Sequence, residues 1–174
     1  MPFAKLYLLL YWVIISYSSP ALAEETPEYT LKAAFLYNFS IFTTWPDHSI
    51  DTFNLCIYGK DPFGMDLDTL MQKKRINDRT ISIHRTNDID HLDSCQLVFV
   101  SRLSIGNLKN VINTLQDKPV LIVADSPGAI QQGVALNMEV KDEKITFEAN
   151  LKAARKAGLN LSSQLLRFAT AVLQ

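Results

Sequence analysis

Two continuous apolar runs, Cys95 to Ser101 (CQLVFVS) and Val120 to Ala124 (VLIVA), constrain this chain more than any other feature. Each has the length of a strand and lacks the polar alternation of a strand with one wet face, so both faces must be covered. Between them, Ile105 to Leu115 repeats apolar residues at helical spacing through Leu108, Val111, Ile112 and Leu115. Doubly buried strands alternating with helices define an α/β fold: a mainly parallel sheet with helices on both faces, in a single compact domain.

The flanking sequence extends this pattern. Tyr29 to Thr44 is predicted helical, with Leu31, Ala34, Phe35, Asn38, Phe39 and Phe42 on one broad face, and Trp45-Pro46 ends it because the residue before proline is pushed out of the α region. Phe53 to Tyr58 reads as a buried strand, Phe63 to Lys73 as a helix, Thr80 to His84 as a half-exposed strand and Asn87 to Asp93 as a loop. Ala135 to Val140 and Ile145 to Glu148 flank a polar turn suited to a hairpin. The last segment, Leu151 to Leu173, is predicted as a long helix interrupted near Gly158, its second half presenting Leu165, Leu166, Phe168, Ala169 and Val172.

Lys5, the apolar run Leu6 to Tyr17 and Ala21-Leu22-Ala23 have the make-up of a cleaved secretory signal over residues 1–23, leaving a domain over residues 24–174. A membrane anchor would need ~20 apolar residues, more than this run supplies. Export to an oxidising compartment makes a Cys56–Cys95 disulfide the first reading of the two cysteines, with two buried free thiols as the alternative. Closing that loop would stabilise the fold by roughly 4 kcal/mol in the chain-entropy model.

Composition and motifs remove several functions. A net charge of -1 offers no basic surplus for nucleic acid. His48, His84 and His91 lack zinc-site spacing, no CxxC is present, and neither a metal nor another cofactor is expected. Gly59 to Gly64 (GKDPFG) departs from the phosphate-binding glycine patterns and reads as a turn ending a strand. No GxSxG occurs, so hydrolysis would rest on Ser101 or on Asp125-Ser126 at strand ends, where Asp-Ser-Pro-Gly is also ordinary turn chemistry.

Two features suit recognition better. Phe35, Tyr37, Phe39, Phe42 and Trp45 cluster in the first helix, as core or as a partner or ligand groove. In Phe147-Glu148-Ala149-Asn150-Leu151 a strand becomes a helix; Asn150 suits a cap, while Glu148 has no local duty and is a candidate to face a partner. Phe39, Phe42, Trp45, Glu148, Asn150 and Leu151 are therefore the candidate binding residues.

Four stretches in order, Leu31 to Pro46 (LKAAFLYNFSIFTTWP), Leu55 to Gly64 (LCIYGKDPFG), Asp93 to Ser101 (DSCQLVFVS) and Ile145 to Ala169 (ITFEANLKAARKAGLNLSSQLLRFA), resemble the YfiR family of periplasmic regulators. The resemblance implies a non-enzymatic α/β domain, often a homodimer. Such a domain represses an inner-membrane diguanylate cyclase by binding its periplasmic sensor region, which lowers cyclic di-GMP and biofilm formation. It also implies that Cys56 and Cys95 form the family's disulfide and that Glu148 lies on a function-sensitive surface. A second disulfide found in the family has no counterpart, since the chain holds two cysteines. The alternative reading is a periplasmic sensor module whose aromatic pocket holds a small molecule.

Overall fold

A computed structural model describes residues 28–46 and 51–174. The expected signal segment lies outside the described residues, as does His48. Among the described residues no helix is long and apolar enough to cross a membrane.

The chain opens with helix α1 (Glu28–Ile41) and a two-residue strand β1 (Thr43–Thr44), then β2 (Thr52–Tyr58), α2 (Met65–Met71), β3 (Arg75–Ile76) and β4 (Arg79–Thr86). A 3-10 turn (Ile89–Ser94) leads to β5 (Leu97–Val100), and another (Arg102–Asn107) runs into α3 (Leu108–Thr114). β6 (Leu121–Ala124), α4 (Ala129–Gln132), β7 (Leu136–Lys141) and β8 (Lys144–Asn150) follow, then α5 (Leu151–Lys156), β9 (Asn160–Leu161), α6 (Ser163–Leu166) and β10 (Ala171–Leu173). The eight-stranded sheet has the order β10-β8-β7-β6-β5-β2-β4-β3, antiparallel only at β7–β8 and β3–β4. β1 and β9 form a separate small antiparallel pair.

Period-two alternation explains why this sheet needs two covers. Phe53, Leu55 and Ile57 of β2, Leu97 and Phe99 of β5, and Leu121 and Val123 of β6 join α1, α2, α5 and α6 in one core. The intervening Cys56, Tyr58, Val98, Val100, Ile122 and Ala124 join α3, α4 and Leu92 in the second. The mainly parallel α/β sheet read from the sequence is therefore present, with helices on both faces. A disulfide joins Cys56 of β2 to Cys95, just ahead of the neighbouring β5, with Cα atoms 6.0 Å apart and both residues buried.

Three expectations need correction. The polar stretch before Cys95 is a 3-10 turn rather than an open loop, capped where Asp88 accepts from the Asp90 N–H at 3.0 Å. α1 stops at Ile41, earlier than expected, and buries a different stripe: Lys32, Ala33, Leu36, Phe39 and Ser40.

The final segment is not a long helix. Gly158, at φ +72°, ends α5, and the Leu159 N–H returns to the Ala154 carbonyl at 2.9 Å. Ser162 caps α6 by accepting from the Leu165 N–H at 3.1 Å, and that helix ends after four residues. The Thr170 N–H and hydroxyl then both donate to the Phe147 carbonyl, at 2.8 and 3.0 Å, and register β10 alongside β8.

Candidate functional site

α1 lies on the face of the sheet to which Phe147 points. Its most buried stripe enters the core, while Phe35 and Phe42 on the next stripe stay half-buried and Asn38 is exposed. Phe35, Asn38, Phe39 and Phe42 thus form one wall of a groove of about 370 Å³. Ile145, Thr146 and Phe147 of β8 form its floor, and Leu165 and Phe168 close its far side. Phe39 and Phe147 meet edge to face at 5.0 Å, with Phe35 against them at 5.8 and 6.2 Å. Phe168 is 74% exposed because α6 ends before it, leaving its ring on the lip.

The volume falls within the span of small-ligand pockets, roughly 300 to 1,000 Å³. Asn38 and Thr146 are the polar residues lining it, and among the described residues no titratable group does so. Such a site recognises an occupant by burying apolar surface, about 25 cal/mol per Å². It offers no acid, base or nucleophile to a bound molecule.

The carboxyl ends of β5 and β6, where open α/β sheets collect ligands, are filled by the chain's own charges. Lys32 Nζ lies 2.6 Å from Asp125 Oδ2 and 2.5 Å from Glu28 Oε1, and the Lys32 side chain is 1% exposed. Asp125 also accepts from the Tyr29 hydroxyl at 2.9 Å and from the Arg102 N–H at 2.7 Å, while the Arg102 guanidinium bonds to Glu28 and Tyr29. Burial, reinforced by the Asp125 carboxylate, pushes the Tyr29 phenol up to about 12. Burial would raise the Glu28 carboxyl, but Lys32 and Arg102 more than offset it and hold it below 4.5.

The hydrolase candidates are both buried. Ser101 is fully buried and donates to the Lys60 carbonyl at 3.1 Å. Ser126 is buried with its hydroxyl unbonded, and its N–H donates to Asn137 Oδ1 at 3.1 Å. Of the described histidines, His84 bonds to Ser82 and Asn54 on β4 and β2, and His91 to Asp88, so neither is paired with Ser101 or Ser126. Three amides of the Gly59–Gly64 turn are committed: the N–H groups of Gly59, Lys60 and Phe63 donate to Thr86 O, Ser104 Oγ and Asp61 Oδ1.

The structure separates the six candidate binding residues. Phe39 and Phe42 line the groove. Trp45 does not: it is buried, stacks edge to face on Phe53 at 5.1 Å and donates from Nε1 to the Gln96 carbonyl at 3.1 Å. Glu148 is half-buried and points from β8 to the face opposite Phe147, level with Asn137 of β7. Asn150 caps α5, accepting from the Ala153 N–H at 2.9 Å and donating to the Ile130 carbonyl at 3.2 Å, and it borders a separate cavity of about 270 Å³. Leu151 is half-buried against the core on the groove's side of the sheet. Phe147 and Phe168 were not among the sequence candidates, because only the return of the chain after Gly158 brings Phe168 to the groove.

A solved structure agrees with this architecture. A conserved domain protein from Vibrio cholerae O1 biovar El Tor str. N16961 superposes with a TM-score of 0.55 at 6% identity, covering 85% of this chain and 61% of that one, a likeness of fold alone. The chain thus spans about three fifths of that protein's length. The ABC domain of Streptococcus pneumonia solved with L-Trp gives a TM-score of 0.47 at 10% identity, over 70% of this chain and 55% of that domain. No curated protein matches in sequence. The family model described as YfiR/HmsC-like matches residues 29–170, nearly all of the described fold, and the chain belongs to that family.

Proposed function

We propose that this protein is a periplasmic repressor that binds the periplasmic sensor region of an inner-membrane diguanylate cyclase and so lowers cyclic di-GMP and biofilm formation. Membership of the YfiR/HmsC-like family supports the regulatory class. The observation that carries a contact mechanism is the aromatic groove between α1 and β8, apolar on its walls and crowned by the exposed Phe168. Aromatic residues are favoured at interface cores.

Repression needs only a difference in affinity for two states of the partner. A tenfold change in output corresponds to about 1.4 kcal/mol. The Cys56–Cys95 bridge ties β2 to the segment entering β5, so reduction loosens the centre of the sheet and weakens that preference. A pull-down from membrane extract, with and without reductant, tests both parts. Recovery of a cyclase that falls when reductant is added is expected; recovery of no membrane cyclase contradicts the proposal.

A second reading is a small-molecule sensor, favoured by the groove's volume and its three mutually packed rings. A ligand that binds the folded state raises the melting temperature by mass action. A thermal-shift screen in which Phe42→Ala abolishes a hit would favour that reading.

A further inference from the structure

At the far end of the sheet from the aromatic groove, β4 has an open side. β3 pairs only with Arg79 and Thr80, and among the described residues no strand pairs with the outer side of Ile81 to Thr86. The ladder fixes which backbone groups face outward. The Thr80 N–H donates to the Asp51 carbonyl, and the Thr86 carbonyl accepts from the Gly59 N–H. By the alternation of a parallel ladder, Ser82 and His84 also bond toward β2. The N–H and C=O groups of Ile83 and Arg85 therefore point away from the sheet.

Beside this edge runs a groove of about 390 Å³ between α2 and β4, where Met65, Met71, Ile81 and Ile83 alternate with the polar residues Asp68, Thr69, Gln72 and Ser82, and Met65 is 75% exposed. At one end stands the α2–β3–β4 connection with Lys73, Lys74, Arg75 and Arg79. Among the described residues none of these four cations lies within ion-pairing distance of a carboxylate. Lys74 and Arg79 lie instead over the rings of Tyr37 and Phe53. Asp78 in the turn offsets one charge and leaves the region basic. Arg85, by contrast, is folded back onto Asp61 and Asp68, so its side chain does not guard the edge.

We propose that the β4 edge is a second docking surface, which accepts an extended segment of another protein as an added strand. The segment runs antiparallel to β4, places apolar residues at alternate positions in the Met65–Ile83 groove, and ends in acidic residues against Lys73, Arg75 and Arg79. Main-chain bonds supply the affinity in strand addition, and alternate side chains supply the choice of partner.

The test uses a fluorescein-labelled peptide of alternating threonine and valine ending in two glutamates, with the same peptide ending in two lysines as control. Expected are binding of the acidic peptide, weaker binding of the basic one, and at least tenfold slower amide exchange at Ile83 and Arg85. Ile83→Pro removes an outward donor that the fold itself does not use, as proline at a sheet edge can, and should weaken binding at least tenfold. Lys73→Glu combined with Arg75→Glu changes two exposed side chains, giving up the Arg75 hydrogen bond to the Asp78 carbonyl, and should reverse the preference between the peptides. The proposal is overturned by equal binding of both peptides, by no binding, or by binding without slowed exchange at Ile83 and Arg85. It is also overturned by a concentration-dependent dimer that Ile83→Pro abolishes, since the occupant is then a second copy.

Discussion

Lys32 Nζ and Asp125 Oδ2 lie 2.6 Å apart with both side chains sealed from solvent, which fixes the first helix to the end of β6. Removing one member of a buried pair leaves the other charge uncompensated and costs about 3 to 5 kcal/mol. Glu28 also touches Lys32, so Asp125→Asn should fall near the lower figure. Lys32→Met with Asp125→Leu should lose less than the two single changes added together. Urea unfolding in a double-mutant cycle checks this.

Replacing Cys56 and Cys95 together by alanine should destabilise the folded protein by about 2 to 5 kcal/mol, the usual cost of losing a disulfide from a small exported domain. The same loss should follow from adding reductant to the parent protein and should be absent when reductant is added to the variant. Guanidinium unfolding of the four samples separates these outcomes.

Acid should weaken the fold through two carboxylates. The hydrogen bond from Arg85 holds Asp68 below its ordinary 3.8, against the effect of burial, and Glu28 lies below 4.5. A carboxylate with a depressed folded value contributes stability that is complete above its unfolded value and is lost as pH falls through the folded one. Stability should therefore decline as pH drops below the unfolded values of 4.5 and 3.8. Both side chains are more than a third exposed, which keeps each effect small. Asp68→Asn should flatten the lower part of the decline in unfolding measured across that range.

Phe168 should matter for contact and not for folding. With 74% of its surface exposed, Phe168→Asp should change stability within about 0.5 kcal/mol. Phe147→Ala, at the buried floor of the same groove, should cost about 3 to 5 kcal/mol. Thermal unfolding of the two variants tests the contrast.

The sheet was legible because strand burial is a local pattern. FNLCIY, LVFV and LIVA show in their own residues that both faces are covered, and the hairpin over β7 and β8 shows alternation around a polar turn. Lys32 was not legible: its partner is 93 residues away, and nothing near either residue announces burial of the pair. The C-terminal segment misled because Leu165, Leu166 and Phe168 have helical spacing. Gly158 and the paired bonds from Thr170 to Phe147 decide its path, and strand pairing across the chain leaves no trace in helical periodicity. Phe39 and Phe42 could be found from aromatic clustering, whereas Trp45 belonged to the same cluster and went to the core.

The most direct measurement is cellular cyclic di-GMP in a strain lacking the coding gene, complemented with the parent protein or with Phe168→Asp. The expected result is a high level in the deletion, a low level with the parent, and a high level again with the variant although it accumulates folded. A level that stays the same when the gene is removed would contradict repression of a diguanylate cyclase by this protein.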